Sequence, residues 1–391
     1  MTASFVKSVS REPFRLFFIQ AVVAGLIGVI LWPLHFWGVA DIYPGTSHIR
    51  LMVFGFFGGF IFGFLGTALP RMLSSRPFTQ WQVLTLLALH AAMVGAYTLS
   101  KILAGDFLLL SLLVTFISCV IPRARVRKDV PPPGFVLVGF AFVAVFAGTI
   151  LSLIQSWKEL PLFWVYLQRL LSSQAFLLLP IVGIGPFILP RFFGLPSGHN
   201  FPESLTAPPG WGRKALLALA TGITILTSLV LEAAGWYRLG HALRFAAVLI
   251  YWAVEMPFRS APGLSTAFGA ALRIAFLLLL AGFLAVVFFP AYRVSLLHVT
   301  LIGGFAVITF VVGTRVVFGH SGNLDKLQQP NRWLLIPILL MLLGMATRIS
   351  GDIWPDVLPS HYSYGAIIWI LGAIAWAIKV LPKTAIVPDE D

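Results

Sequence analysis

An all-α protein that crosses a membrane about twelve times is the fold class this sequence predicts, and three observations predict it. Of its 391 residues, 59% are hydrophobic and only 10% are charged, where soluble domains carry about 25% charge. The mean hydropathy of +0.93 exceeds what a soluble core can absorb. Apolar runs of helical length recur along the whole chain, each bounded by proline, glycine or charge. Together they predict one integral membrane domain over residues 1–391.

The runs fall at about 15–40, 51–73, 81–100, 106–122, 134–155, 163–190, 213–233, 239–258, 268–289, 296–318, 333–349 and 363–381. The first follows MTASFVKSVSREPFRLF, which has no short apolar core ending in a cleavage site, so a retained N-terminus is expected. The second reads SHIRLMVFGFFGGFIFGFLGTALPRM, and a 100° step places Gly55 and Gly59 on the stripe of His48, with Gly63 continuing it. Such a groove suits close helix packing, or a flat slot for a macrocycle beneath an axial histidine. RPFTQ separates the second run from the third, which holds His90 near its middle.

The fourth run contains Cys119, the single cysteine, expected to be a small packed hydrophobe. One cysteine excludes an internal disulfide framework, cysteine-rich iron–sulfur ligation and covalent haem attachment through C-x-x-C-H. RARVRKDVPPPG ends it before the fifth run, and LPSGHNFPESLTAPPGWGRK separates the sixth from the seventh without being long enough to fold alone. His241 opens the eighth run, and Glu255 near its inner end is expected to pair with Arg259 four residues on.

The tenth, HVTLIGGFAVITFVVGTRVVFGHSG, carries His298 and His320 at its two ends, roughly 33 Å apart at 1.5 Å per residue. A 100° step puts both on nearly one face. The tenth run also echoes the second: each opens with a histidine, carries several glycines and reaches Thr and Arg near its end (Thr67 and Arg71, Thr314 and Arg315).

Lysine and arginine placement orients the chain. With twelve spans, nineteen of the 27 fall on the side shared by both termini and eight on the other, so both termini are expected in the cytoplasm. The net charge of +13 is scattered in short clusters between apolar runs rather than forming a stripe, which argues against nucleic acid. No Walker loop, G-x-S-x-G elbow, H-E-x-x-H helix or dinucleotide fingerprint is present, so hydrolytic and nucleotide-driven functions lose their support.

This topology sorts the eight histidines. His35, His48, His241, His298 and His361 lie toward the outer face, His199 and His320 toward the cytoplasm, and His90 at mid-membrane, where a hydrogen-bonded core role is expected. Neutral imidazole is a common metal and haem ligand. Arg50, Arg244 and Arg293 share the outer level, where they either snorkel to head groups or pair with carboxylates such as haem propionates.

Several of these residues resemble one family's signature. His298-Val-Thr-Leu-Ile-Gly303, then Thr314-Arg315 and Phe318-Gly319-His320-Ser321-Gly322, is similar to the NnrS family pattern of His, Thr-Arg and Leu-Gly-His-Thr-Gly. Pro13-Phe14-Arg15, the second-span stretch from His48 to Pro70, and Val182-Gly183 through Pro186-Phe187 resemble that family as well. The resemblance implies a twelve-span bacterial inner-membrane protein with haem and copper, associated with resistance to nitric oxide. It lands on His48, His298, Arg315 and His320. The chain departs from the family's His-x-His-Glu-Met, reading His48-Ile49-Arg50-Leu51-Met52, and has Arg273 near the place of a ninth-span histidine. This weakens the copper expectation. In architecture alone the chain is also similar to the catalytic subunit of haem–copper oxidases, which holds a haem between histidines of its second and tenth helices.

The leading expectation is haem b between His48 and His298, with Arg50 and Arg293 neutralising its propionates and His241 and His320 as further metal-ligand candidates. Its partners would be the lipid bilayer, nitric oxide or a similar small gas, and a quinol or other redox partner. Whether it turns nitric oxide over as a haem-dependent oxidoreductase is left open. A polytopic transporter or metal-handling permease without catalysis is the alternative, and a structural subunit of a larger respiratory assembly is the third reading.

Overall fold

The computed structural model describes residues 8–192, 204–256, 267–327 and 331–388. Every one of the twelve apolar runs is a helix: α1 Phe14–Phe36, α2 Gly45–Met72, α3 Gln80–Thr98, α4 Ile102–Arg125, α5 Phe135–Gln155, α6 Leu162–Ile188, α7 Trp211–Ala233, α8 Tyr237–Glu255, α9 Ala267–Phe288, α10 Pro290–His320, α11 Arg332–Ile353 and α12 Pro355–Ala385. Eleven are long and apolar enough to cross a membrane. The exception, α8, has 19 residues but carries Arg238, His241, Arg244 and Glu255. No strand occurs among the described residues, and the chain is an all-α polytopic membrane protein.

Local chemistry sets several boundaries. Pro13 precedes the first turn of α1, where a missing N–H costs nothing. Thr79 and Gln82 form a reciprocal capping box at the start of α3. Successive helices pack as neighbours, and α12 returns against α1, so the two ends of the chain meet.

Three helices, α2, α6 and α10, contain π-helical stretches, at Leu51–Phe57, Leu171–Ala175 and Val299–Ala306. Such insertions are frequent at functional sites. The first begins three residues after His48 and the third immediately after His298. They also interrupt the 100° phase, so the single face expected for His298 and His320 does not survive the intervening turns.

The glycine stripe of α2 is a packing surface for α1. A Cβ at Gly55 would stand 2.8 Å from that of Ala24, at Gly59 2.7 Å from that of Ala21, and at Gly63 2.8 Å from that of Phe17 and 3.0 Å from the Phe14 backbone. The groove is therefore filled by a helix, and the macrocycle slot is not there. Gly63→Val is expected to destabilise by about 1–3 kcal/mol, since backbone cannot yield as a side chain can. A thermal melt in detergent checks this, and an unchanged midpoint would count against the packing role.

The threonines of the internal echo share this work. Thr67 donates to Gly63 O (2.9 Å) and accepts from Phe14 N, while Thr314 accepts from the Trp376 indole at 2.9 Å. Around them lies a core of rings, including Phe18–Phe60 at 4.5 Å and Phe310–Trp376 at 4.6 Å between centroids. Cys119 is buried and free, as a packed hydrophobe.

Candidate functional site

At the end of the bundle away from His320, α1, α2, α10, α11 and α12 bring His48 and His298 together. The His48 Nδ1–H donates to the Gly28 carbonyl of α1 at 2.9 Å, and the His298 Nδ1–H donates to Val294 O at 2.9 Å. Each bond fixes the ring and turns Nε2 away, and among the described residues neither Nε2 has a hydrogen-bond partner or is sealed from open space. The rings lie close enough to interact electrostatically, and Arg348 interacts with both. Trp32 stands edge-on to His48, 5.8 Å between centroids, and also to Tyr362, at 5.1 Å.

Behind the pair is a knot that sequence reading missed. Arg348 donates to Asp352 at 2.6 Å and lies 3.6 Å over the Tyr362 ring. Asp352 also accepts from Tyr362 at 2.6 Å and from Ser295, one turn before His298. The available signal was the i,i+4 spacing of Arg348 and Asp352 on one helix. Four helices had to pack before it marked the site.

Arg50 does not face this pair as a spare cation. Its Nε and Nη2 each donate to Asp106 at 2.9 Å, and Tyr97 and Ser152 donate to the same carboxylate at 2.7 and 2.6 Å. The reason is geometric, since a bidentate carboxylate from α4 already satisfies the guanidinium. Arg293 lies 4.5 Å over the Tyr237 ring. His241 belongs to another buried cluster, where its Nδ1–H donates to Tyr237 O at 3.0 Å. There Arg244 donates to Glu232 (2.6 Å), Gln174 (2.5 Å) and Ser228 (3.1 Å).

His90 is fully enclosed, with its ring nitrogens 3.0 Å from Gln20 Oε1 and 3.0 Å from the Gly55 carbonyl. Glu255 pairs with Lys214 at 3.2 Å. Arg259 and His199 lie outside the described residues. Among those described, no three His, Cys, Asp or Glu side chains converge as a metal cage would require.

His320 sits at the opposite end of the molecule in an ionic latch. Its Nδ1–H donates to Glu12 at 2.6 Å, and Arg71 donates to the same carboxylate at 2.8 Å. Arg15, buried, donates to Glu12 at 2.8 Å and to the carbonyls of Thr384 (2.7 Å), Ile386 (2.8 Å) and His320 (3.1 Å). The latch ties the N-terminal segment, α2, α10 and the end of α12 into one unit.

Burial pushes the Glu12 carboxyl up, but the hydrogen bonds and charges of His320 and Arg15 outweigh it and hold the group down at about 2, against an ordinary 4.5. A carboxyl lowered by folding contributes stability above its unfolded value and loses it as pH falls through the folded one. The wild-type melting temperature is therefore expected to fall as pH drops from about 4.5 toward 2, and Glu12→Gln to show a lower midpoint at neutral pH with a flatter acid limb. Parallel acid limbs in the two proteins would refute this.

Residues 8–385 match the family model described as NnrS protein. No curated protein matches the chain.

Proposed function

Since the chain belongs to the NnrS family, a family of the nitric oxide response, we propose that it acts there as a haem-binding protein of the bacterial inner membrane, with a b-type haem between His48 and His298. One observation carries the reading: two neighbouring imidazoles on α2 and α10 have Nδ1 anchored to backbone carbonyls, and neither Nε2 has a hydrogen-bond partner among the described residues. That is how a ligating histidine is oriented, because the anchored N–H fixes the tautomer and raises the basicity of the other nitrogen. The donor set fits a haem. No third ligand joins it among the described residues, so copper is left out of the reading.

When bound, the haem would supply a redox-active iron able to pass electrons, and to take nitric oxide where one imidazole gives way. The chain's own residues do the rest. The Gly28 and Val294 carbonyls hold the two rings in register. Trp32 and Tyr362 wall the site with aromatic surface. Arg348, steadied by Asp352 and by the Tyr362 ring, would be the cation to pair with a carboxylate of the cofactor, the role the sequence suggested for Arg50 and Arg293.

The test is an absorption spectrum with iron and copper quantification on protein purified after haem-replete expression. A Soret band with near-stoichiometric iron is expected. Absence of both returns the protein to the transporter reading.

A further inference from the structure

Below the histidine pair, α2, α6 and α10 part around a cavity of about 120 Å³. Phe57 and Ile61 of α2, Ile181 and Ile184 of α6, and Ile308 and Val312 of α10 form its walls. Thr309 supplies the single side-chain hydroxyl among the lining residues, and none of them is ionisable. Phe57 is nine residues past His48 and Val312 fourteen past His298, which places the cavity roughly 13–21 Å deeper than the pair at 1.5 Å per residue. Ile61, Ile181 and Val312 keep partial exposure, so the cavity has a mouth, and all three lie well inside helices long and apolar enough to cross a membrane.

Size and lining select the occupant. A cavity of about 150 Å³ lined by Leu, Ile and Phe stays dry and takes benzene or xenon. Pockets for drug-sized ligands run about 300–1,000 Å³, so a macrocycle is too large. A water here would find one hydroxyl and carbon, where it needs 2–4 polar partners. Phe57 of the cavity wall stands edge-on to Phe305, seven residues past His298, with 6.3 Å between centroids.

We propose that this cavity is a binding site for a small uncharged apolar molecule of the diatomic-gas class, entered from the hydrocarbon of the membrane. Nitric oxide as the physiological occupant rests on the proposed function above, whereas the chemical class does not. The site would concentrate a gas that dissolves in lipid on the same two helices that carry His48 and His298, with the Phe57–Phe305 ring pair along the way between them.

Xenon is the probe, used on the purified full chain by anomalous diffraction from pressurised crystals and by xenon-129 NMR in micelles. One xenon is expected against Ile61, Ile184 and Val312. Val312→Phe should lower its occupancy at least tenfold, and Ile184→Ala, which enlarges the space, should raise it. Nitric oxide association with haem-loaded protein should slow in Val312→Phe while the absorption spectrum stays the same. An empty cavity under xenon, a lipid acyl chain that xenon does not displace, or equal occupancy in wild type and either variant would overturn the proposal. Xenon binding without a Soret band would leave the cavity standing and sink the haem reading, and the reverse result would do the opposite.

Discussion

His298→Ala and His48→Ala are each expected to cut haem content at least tenfold, and to leave any retained haem with an altered spectrum. The basis is that removing even the second-sphere partner of a ligand typically costs 10–100-fold in affinity, so removing the ligand costs no less. His241→Ala and His320→Ala should leave the spectrum as in wild type, because those rings are committed to Tyr237 and Glu12 in clusters of their own. Arg348→Gln separates positioning from ligation. Haem should remain, but its midpoint potential should fall, since a cation near the two histidines favours the reduced form and Asp352 would be left uncompensated. If both single alanine variants keep a wild-type spectrum, the ligand assignment is wrong whatever the arginine does.

The second large effect is on stability. Asp106→Ala leaves the Arg50 guanidinium in the bundle without its carboxylate, and breaking a buried pair from one side costs about 3–5 kcal/mol. Tyr97 and Ser152 lose their acceptor at the same time. Denaturant unfolding in mixed micelles should show that loss, with Asp106→Asn milder because an amide oxygen can still accept. The surviving folded fraction should keep its haem spectrum. A variant as stable as wild type but stripped of haem would mean that Arg50 belongs to the cofactor site after all.

Much of the scaffold was legible without coordinates, and the reason differs from element to element. Lipid admits few shapes other than helices, because backbone polar groups must be satisfied within the segment. Apolar length therefore marks α1 to α7 and α9 to α12 as spans, while α8 was legible as an apolar run of helical length despite its charges. His48 and His298 were legible as candidates because each opens a span at the same level, which follows from topology and needs no contact.

The glycines of α2 were legible as a groove but not as to what fills it. The same absence of a side chain suits a helix or a ring, and only the Ala21, Ala24 and Phe17 positions of α1 decide for the helix. The π-helical stretches were invisible, since Leu51–Phe57 and Val299–Ala306 read as ordinary apolar sequence.

By itself, then, the sequence determined the class and the succession of long apolar helices, because hydropathy and charge act locally along the chain and each residue carries its own transfer cost. The tertiary structure alone decided partnership. Glu12 meets His320 across 308 residues, Arg50 meets Asp106 across 56, and Arg348 comes to stand beside two histidines on other helices. A charge in a membrane must find a partner somewhere, but which one depends on how the helices pack, and that is a property of side-chain shape summed over the whole bundle.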